Sequence, residues 1–165
     1  MKIKLNLGCG EDTREGYLNV DIVKGEEIDI VHNLNIFPYP FKDNSVDEIV
    51  LQSCLEHLNF PEEVIYELHR ILKVGGILEV LCPHFSSFQA FGNIQHKRSY
   101  AHGSMNSFKD IFKVNSNIDF DGIFKWMYWF VNRNNFTRGF YEKHFAYIFP
   151  ASNVYFKLIK LEQSK

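Results

Sequence analysis

The sequence predicts a doubly wound α/β fold on a mostly parallel sheet, and three observations lead to it. Strand-like and helix-like segments alternate through residue 82. The first apolar run, residues 3–7, delivers the chain into Gly8-Cys9-Gly10, a glycine turn at a strand end. Residues 77–82 are almost continuously apolar, as expected of a strand whose two faces are both covered by helices.

Taken in order, residues 17–22 read as a second strand closing on Asp21, and residues 28–31 as a short third. Pro38 and Pro40 make residues 35–41 a loop, because proline has no donor for a helix or a central strand. Asp43-Asn44-Ser45 then turns into a fourth strand, residues 46–51. Pro61 at a first helical turn, followed by Glu62 and Glu63, suits the positive end of a helix dipole. Val64, Ile65, Leu68, Ile71 and Leu72 recur at helical spacing, and Gly75-Gly76 reads as the stop before strand 77–82. Beyond Pro83 the pattern weakens. Residues 107–114 read as a helix, 123–131 as a strand or a buried helix, 142–149 as a helix ending at Pro150, and 154–161 as a final strand.

A chain of 165 residues is expected to form one domain, residues 1–165. Its 45% apolar and 23% charged content argues against disorder or a fibrous repeat. A net charge of -2 gives no electrostatic reason to bind nucleic acid or an anionic membrane. No window approaches the roughly 18 apolar residues needed to span a bilayer. Cys9, Cys54 and Cys82 are too few and scattered for a disulfide framework, and the first residues lack a signal-peptide pattern, so the cytoplasm is the expected compartment. Aromatic content is high, 16%, and concentrated after Phe85. The stretch Phe124-Lys125-Trp126-Met127-Tyr128-Trp129-Phe130 reads as core or homodimer interface, and less readily as a substrate box or a membrane-facing patch.

Ligands of such sheets bind beyond the carboxyl ends of the strands, so the residues there are the candidates. Gly8 and Gly10 would let backbone approach a ligand closely. Thr13 stands where a dinucleotide fingerprint needs its third glycine, and no Walker-type Gly-Lys-Ser/Thr is present. Asp21, closing the second strand, is placed to accept from a ribose hydroxyl pair.

Five segments in order are then specific. Leu5-Asn6-Leu7-Gly8-Cys9-Gly10 resembles the first motif of class I S-adenosylmethionine (SAM) dependent methyltransferases, and Tyr17-Leu18-Asn19-Val20-Asp21-Ile22 resembles their ribose-binding acidic motif. The segment from Phe37 to Ile49 is similar to their "LPF-x-D-x-S-x-D" stretch, Leu55-Glu56-His57-Leu58 to their "LEH" turn, and the run from Glu67 to Gly76 to their "LKPGG" helix end. Only ten residues separate Gly10 from Asp21, where the family usually inserts a helix. That shortened form resembles a subgroup of bacterial and archaeal methyltransferases, some encoded near polysaccharide-assembly genes. Pro83-His84-Phe85-Ser86-Ser87 and the segment Ala90 to Arg98 resemble further elements of the same subgroup, with Gly92-Asn93-Ile94-Gln95 departing from its Asp-Pro-Thr pattern.

The resemblance implies a seven-stranded type of sheet, mostly parallel, with an antiparallel last strand and a shortened first crossover. It implies SAM as cofactor, with Gly8, Cys9 and Gly10 along its methionine part, Asp21 on the ribose and Ile22 against the adenine. Asn33-Leu34 takes the place of the usual Asp-Leu pair at the adenine amino group, and Gln52, Ser53 and Leu55 would close over the cofactor. The expected reaction is methyl transfer to an oxygen or nitrogen of a small metabolite or sugar; the rival is a non-catalytic SAM-binding module for regulation or assembly. Methyl transfer mainly requires an in-line arrangement, with a base for the acceptor proton. His57, His84 and His96 are the candidates for that proton, His57 alternatively orienting its loop. His69 is assigned to the surface, and Lys97-Arg98 either grips an anionic group of the substrate or is solvated. No metal site is expected: His84, His96, His102 and Glu56 match no compact metal motif.

Overall fold

The computed structural model describes residues 2–162. β1 (Lys4–Leu7) lies inside the sheet, with Leu5, Asn6 and Leu7 all buried. β2 (Leu18–Asp21) and the two-residue β3 (Ile30–Val31) lie on one side of β1, and β4 (Val46–Gln52) and β5 (Leu72–Pro83) on the other. β6 (Phe112–Ile118) and β7 (Asn153–Lys160) complete a seven-stranded sheet in the order β3-β2-β1-β4-β5-β7-β6. The pairs from β3 to β5 are parallel, and β7 runs antiparallel between β5 and β6. The expected class is therefore the observed one, antiparallel last strand included.

Between β1 and β2 the chain makes turns only, which is the shortened crossover. Two buried asparagines hold that loop in the absence of a helix. The Asn6 side chain donates to the Asp12 carbonyl (2.7 Å) and to Asn19 Oδ1 (3.0 Å), and Asn19 Oδ1 also accepts from the Arg14 amide (3.0 Å). Because each buried amide finds partners, burying Asn here carries little penalty.

α1 (Pro61–Ile71) buries Val64, Ile65, Leu68 and Ile71 against the sheet, as the spacing predicts. On its outer side Arg70 and Glu67 clamp the proline loop. Arg70 donates to both Glu67 oxygens (2.9 and 2.6 Å), to Asp43 (2.5 Å) and to the Phe41 and Tyr39 carbonyls, while Glu67 accepts from the Tyr39 amide (2.6 Å). Gly75-Gly76 is not the helix stop that the sequence suggests. The helix ends at Ile71 and β5 begins at once, with the glycines absorbing a break in register against β4. Gly75 has φ +77°, and a Cβ on Gly76 would meet the Lys73 carbonyl at 2.8 Å.

The second half departs further from expectation. Residues 107–114 do not form a helix: a single 3-10 turn at Asn106–Phe108 leads into β6, where Phe112, Ser116 and Ile118 face inward at strand spacing. His69, expected on the surface, is half-buried with its ring edge-on to Phe112 (5.2 Å). Residues 123–131 hold the end of a 3-10 turn (Gly122–Phe124) and the short α3 (Met127–Val131), which buries Met127 and Val131 and exposes Trp129 and Phe130, with Trp126 exposed just before it. The predicted helix at 142–149 lies earlier, as α4 (Asn135–His144). Asn134 and Thr137 start it with a reciprocal capping box (2.9 and 3.1 Å).

Two apolar clusters result. The larger joins β1, β4, β5 and β7 to α1 and reaches Phe112, Phe156 and Leu158. The smaller packs Ile118, Phe120, Met127, Val131 and Tyr141 under α3 and α4. At the chain's last strand Lys160 is buried, and its ammonium donates to the His69 and Leu72 carbonyls (2.7 and 2.9 Å) and to Asn44 Oδ1 (2.8 Å). A cation thus caps the negative end of α1.

Candidate functional site

The glycine bend and Asp21 meet directly. Gly8 follows β1 at φ +63° and Gly10 at φ +52°, and the Gly8 amide donates to the Val20 carbonyl (2.8 Å). The Gly10 amide donates to Asp21 Oδ2 (2.8 Å), while Asp21 Oδ1 accepts from the Val23 amide (2.9 Å). The two glycines serve different ends. A Cβ on Gly8 would sit 2.2 Å from Cys54 Sγ, whereas one on Gly10 would meet nothing within 4 Å. Gly8 makes tight packing possible; Gly10 faces open space.

That space is a cleft of about 500 Å³ at the carboxyl ends of the parallel strands. Gly8, Gly10, Asp21, Ile22, Asn33, Leu34 and Ser53, all expected to contact the cofactor, line this one cleft. Cys9, Gln52 and Leu55, also expected at the cofactor, are not among its lining residues. Cys9 and Leu55 are turned into the protein, and Gln52 Oε1 is held by the Arg14 guanidinium (2.7 Å). His32, Asn35, Cys54, Leu58 and Gln95 line the cleft without having been singled out. Asn33 Oδ1 already accepts from the Asn35 amide (2.9 Å), so the Asn-Leu pair is preorganised by its own turn. Burial pushes the Cys54 thiol up to about 12, so it stays neutral.

A second cleft, about 360 Å³, lies next to the first and shares Ser53 and His57 with it. Its other walls are Glu56, Pro83, His96 and the α2 (Phe88–Gly92) segment through Phe88, Gln89 and Gly92. Ser53 holds φ +47°, an uncommon backbone state for a residue with a side chain, at the partition between the two. The loop carrying His96 is tied down by the Lys97 amide donating to the Glu56 carbonyl (2.8 Å). Lys97 Nζ donates to Asn59 Oδ1 (2.6 Å) and Arg98 to the Leu58 carbonyl (3.2 Å), so this basic pair fastens the loop. The His57 and His96 rings meet edge to face, 4.7 Å between centroids. Burial, and then His96 beside it, lowers the pKa of His57, which favours its neutral form. Burial raises the Glu56 carboxyl from its ordinary range.

His84 does not join this group. It is fully buried, with one ring nitrogen on Ser86 Oγ (2.8 Å) and the other on Glu142 (3.1 Å). Enclosed in that network, it lines neither cleft and cannot meet an acceptor's proton. Glu142 also accepts from the His102 amide (2.6 Å) and contacts its ring (2.5 Å). Although burial alone would raise the Glu142 carboxyl, hydrogen bonds from His102 and His84 bring it down to about 2. Glu142, through His84 and His102, thus fastens α4 to the end of β5.

Residues 10–80, a little under half of the chain, match the model of a methyltransferase domain family. Over those residues the chain resembles a methyltransferase domain, in line with the motifs of its sequence. SAM is the cofactor that this match implies. Among solved structures it resembles a SAM-dependent methyltransferase from Archaeoglobus fulgidus, at 14% identity and TM-score 0.63, covering 96% of this chain and 86% of that one. A chain from the complex of the Haloferax volcanii Trm112 methyltransferase activator with a methyltransferase matches at 15% identity and TM-score 0.63, covering 99% and 84%. The [4+2]-cyclase SpnF matches at 15% identity and TM-score 0.64, covering 98% and 76%. At such identities the likeness is one of fold. No curated protein is matched.

Proposed function

We propose that this methyltransferase domain moves the methyl group of SAM to an oxygen or nitrogen of a small metabolite or sugar. In this reading the larger cleft takes the cofactor and the smaller the acceptor. The observation that carries it is the partition: Ser53 and His57 belong to both clefts, so ligands in the two would be neighbours across one wall.

The residues fit the cofactor. Gly10 leaves a corner free of side chain, and Asp21 accepts only one amide on each oxygen, which leaves lone pairs for a ribose hydroxyl pair. Ile22 is 59% exposed beside it, an apolar surface for a purine. When bound, SAM supplies a methyl group on a positively charged sulfur. The protein's share is to hold the acceptor atom in line with that methyl and to relieve it of its proton. As the C–S bond breaks and the new C–O or C–N bond forms, the acceptor's proton passes to His57 or His96, of which neutral His57 lies on the partition itself.

Asp21→Ala should weaken S-adenosylhomocysteine binding by about 1.5–3 kcal/mol, the range for a hydrogen bond to a charged group. Isothermal titration reads it, and a folded variant of unchanged affinity would remove Asp21 from the site. Release of S-adenosylhomocysteine from SAM across a panel of hydroxyl and amine acceptors tests the reaction. Tight SAM binding with no product from any acceptor would favour the non-catalytic module instead.

The reading places the whole of residues 1–165 in one domain working in the cytoplasm, without nucleic acid as substrate. No helix among the described residues is long and apolar enough to cross a membrane. The exposed Trp126, Trp129, Phe130, Phe136 and Phe140 on and around α3 and α4 form an apolar face suited to a second copy of the chain. Light scattering should give twice the chain mass, reverting to one with Trp129→Glu; a monomer at all concentrations would dismiss the dimer.

A further inference from the structure

Glu56 has no exposed surface, and neither of its carboxylate oxygens has a hydrogen-bond partner. The Cys82 thiol beside it is only a weak donor. A buried carboxylate left this way is costly unless a cation or a strong donor meets it. Among the described residues no Lys or Arg does so, since Lys97 and Arg98 are engaged by Asn59 and Leu58. Two imidazoles stand beside it instead. One ligand atom each from Glu56, His57 and His96 lie within 4.8 Å of one another, and Nδ1 of His96 is likewise buried without a partner.

We propose that Glu56, His57 and His96 bind a divalent transition-metal ion of the Zn²⁺ type. Two imidazole nitrogens and one carboxylate are a donor set that such ions favour, and three protein ligands leave a coordination position open. Bound at about 2.0–2.2 Å, the ligand atoms would stand roughly 3.4 Å apart, a closure that side-chain torsions supply. The backbone already holds the three together: Glu56 and His57 share one 3-10 turn (Leu55–His57), and the Lys97 amide bond to the Glu56 carbonyl keeps His96 over that turn. The Gln95 carbonyl lies against the His57 ring, the kind of partner that fixes the tautomer of a metal-binding imidazole.

The open position would face the smaller cleft, where Ser53, Gln89 and Asn93 offer polar groups. Its role rests on the methyl-transfer reading and replaces the imidazole base there. With His57 and His96 on the ion, an acceptor hydroxyl bound at the open position would release its proton to solvent, since the ion stabilises the oxyanion. Metal binding itself stands apart from that reading.

Protein freed of metal by dialysis against chelator is titrated with Zn²⁺ by calorimetry and with Co²⁺ by visible absorption. One equivalent should bind, and Glu56→Gln and His96→Ala should each weaken it at least about tenfold. His144→Ala, an exposed histidine on α4, should leave it unchanged. Because His96 lies on a partly exposed loop, its variant keeps the test sound if Glu56→Gln fails to fold. Sub-stoichiometric binding, or equal affinity in folded His96→Ala, would overturn the site. A thiolate-to-Co²⁺ charge-transfer band would overturn it too, by assigning the ion to Cys54 or Cys82. S-adenosylhomocysteine affinity of the metal-free protein separates the two ideas. A protein that binds cofactor but takes up no metal sinks the metal site alone, and one that takes up metal but binds no cofactor upholds the site and removes its proposed role.

Discussion

Gly8→Ala should destabilise the protein by about 2–5 kcal/mol and displace Cys54 in the wall of the larger cleft. The left-handed backbone at φ +63° costs an alanine roughly 1–2 kcal/mol. The collision with Cys54 at 2.2 Å adds the roughly 1–3 kcal/mol typical of overpacking a core. Gly10→Ala is the control. Its φ of +52° imposes the same backbone strain, but nothing stands within 4 Å of the new methyl. Denaturant unfolding of both variants should show the larger loss at Gly8, while Gly10→Ala keeps its fold and loses cofactor affinity. Equal losses at the two positions would mean that Cys54 yields without strain.

The second large effect belongs to Glu142. Its carboxyl titrates at about 2 in the folded protein against 4.5 for the free side chain, because His102 and His84 outweigh the effect of burial. The unfolded chain therefore binds the proton first as the medium is acidified. The stabilisation is complete above pH 4.5 and is lost as pH falls from there towards 2. Its size is about 3 kcal/mol, since each tenfold difference in proton affinity between the two states is worth roughly 1.4 kcal/mol. Glu142→Gln should lose a stability of that order at pH 7 and flatten the acid limb of the stability curve in this window. Carboxylates elsewhere whose pKa is lowered, such as Glu67 and Asp47, contribute equally to both proteins and leave their common slope. Parallel acid limbs for the two proteins would show that the histidine contacts do not bias Glu142.

Much of the first half was legible because local signals agree there. An apolar run, a glycine pair and an acid ending the next strand together place Leu7, Gly8, Gly10 and Asp21 at one edge, and the structure brings Gly10 and Asp21 into contact. α1 was legible from Pro61 and its apolar spacing alone. After Pro83 the signals conflict. In β6, Val114, Asn115 and Ser116 weaken the alternation that Phe112 and Ile118 reveal, so its strand identity comes from pairing with β7. α4 could have been found: Asn134 followed three residues later by Thr137 is a capping pattern, overshadowed by the apolar run after Tyr141. His84 was illegible as a buried group, because its partner Glu142 lies 58 residues away. Glu56 was hidden for the converse reason. An acid in a turn reads as solvated, and only the descent of the 93–97 loop onto it encloses it.

The placement of β7 has a consequence for how the molecule is made. β6 hydrogen-bonds only to β7 within the sheet, and β7 is its bridge to β5. A nascent chain that has emerged as far as β6 therefore carries a strand with no seat, beside a half-finished sheet whose β5 border is bare. The β3 to β5 portion can assemble early from near neighbours, but the far side waits for residues 153–160 to slide between two strands already synthesised. The interval between those events is when a ribosome-bound copy is most exposed to pairing with the wrong strand.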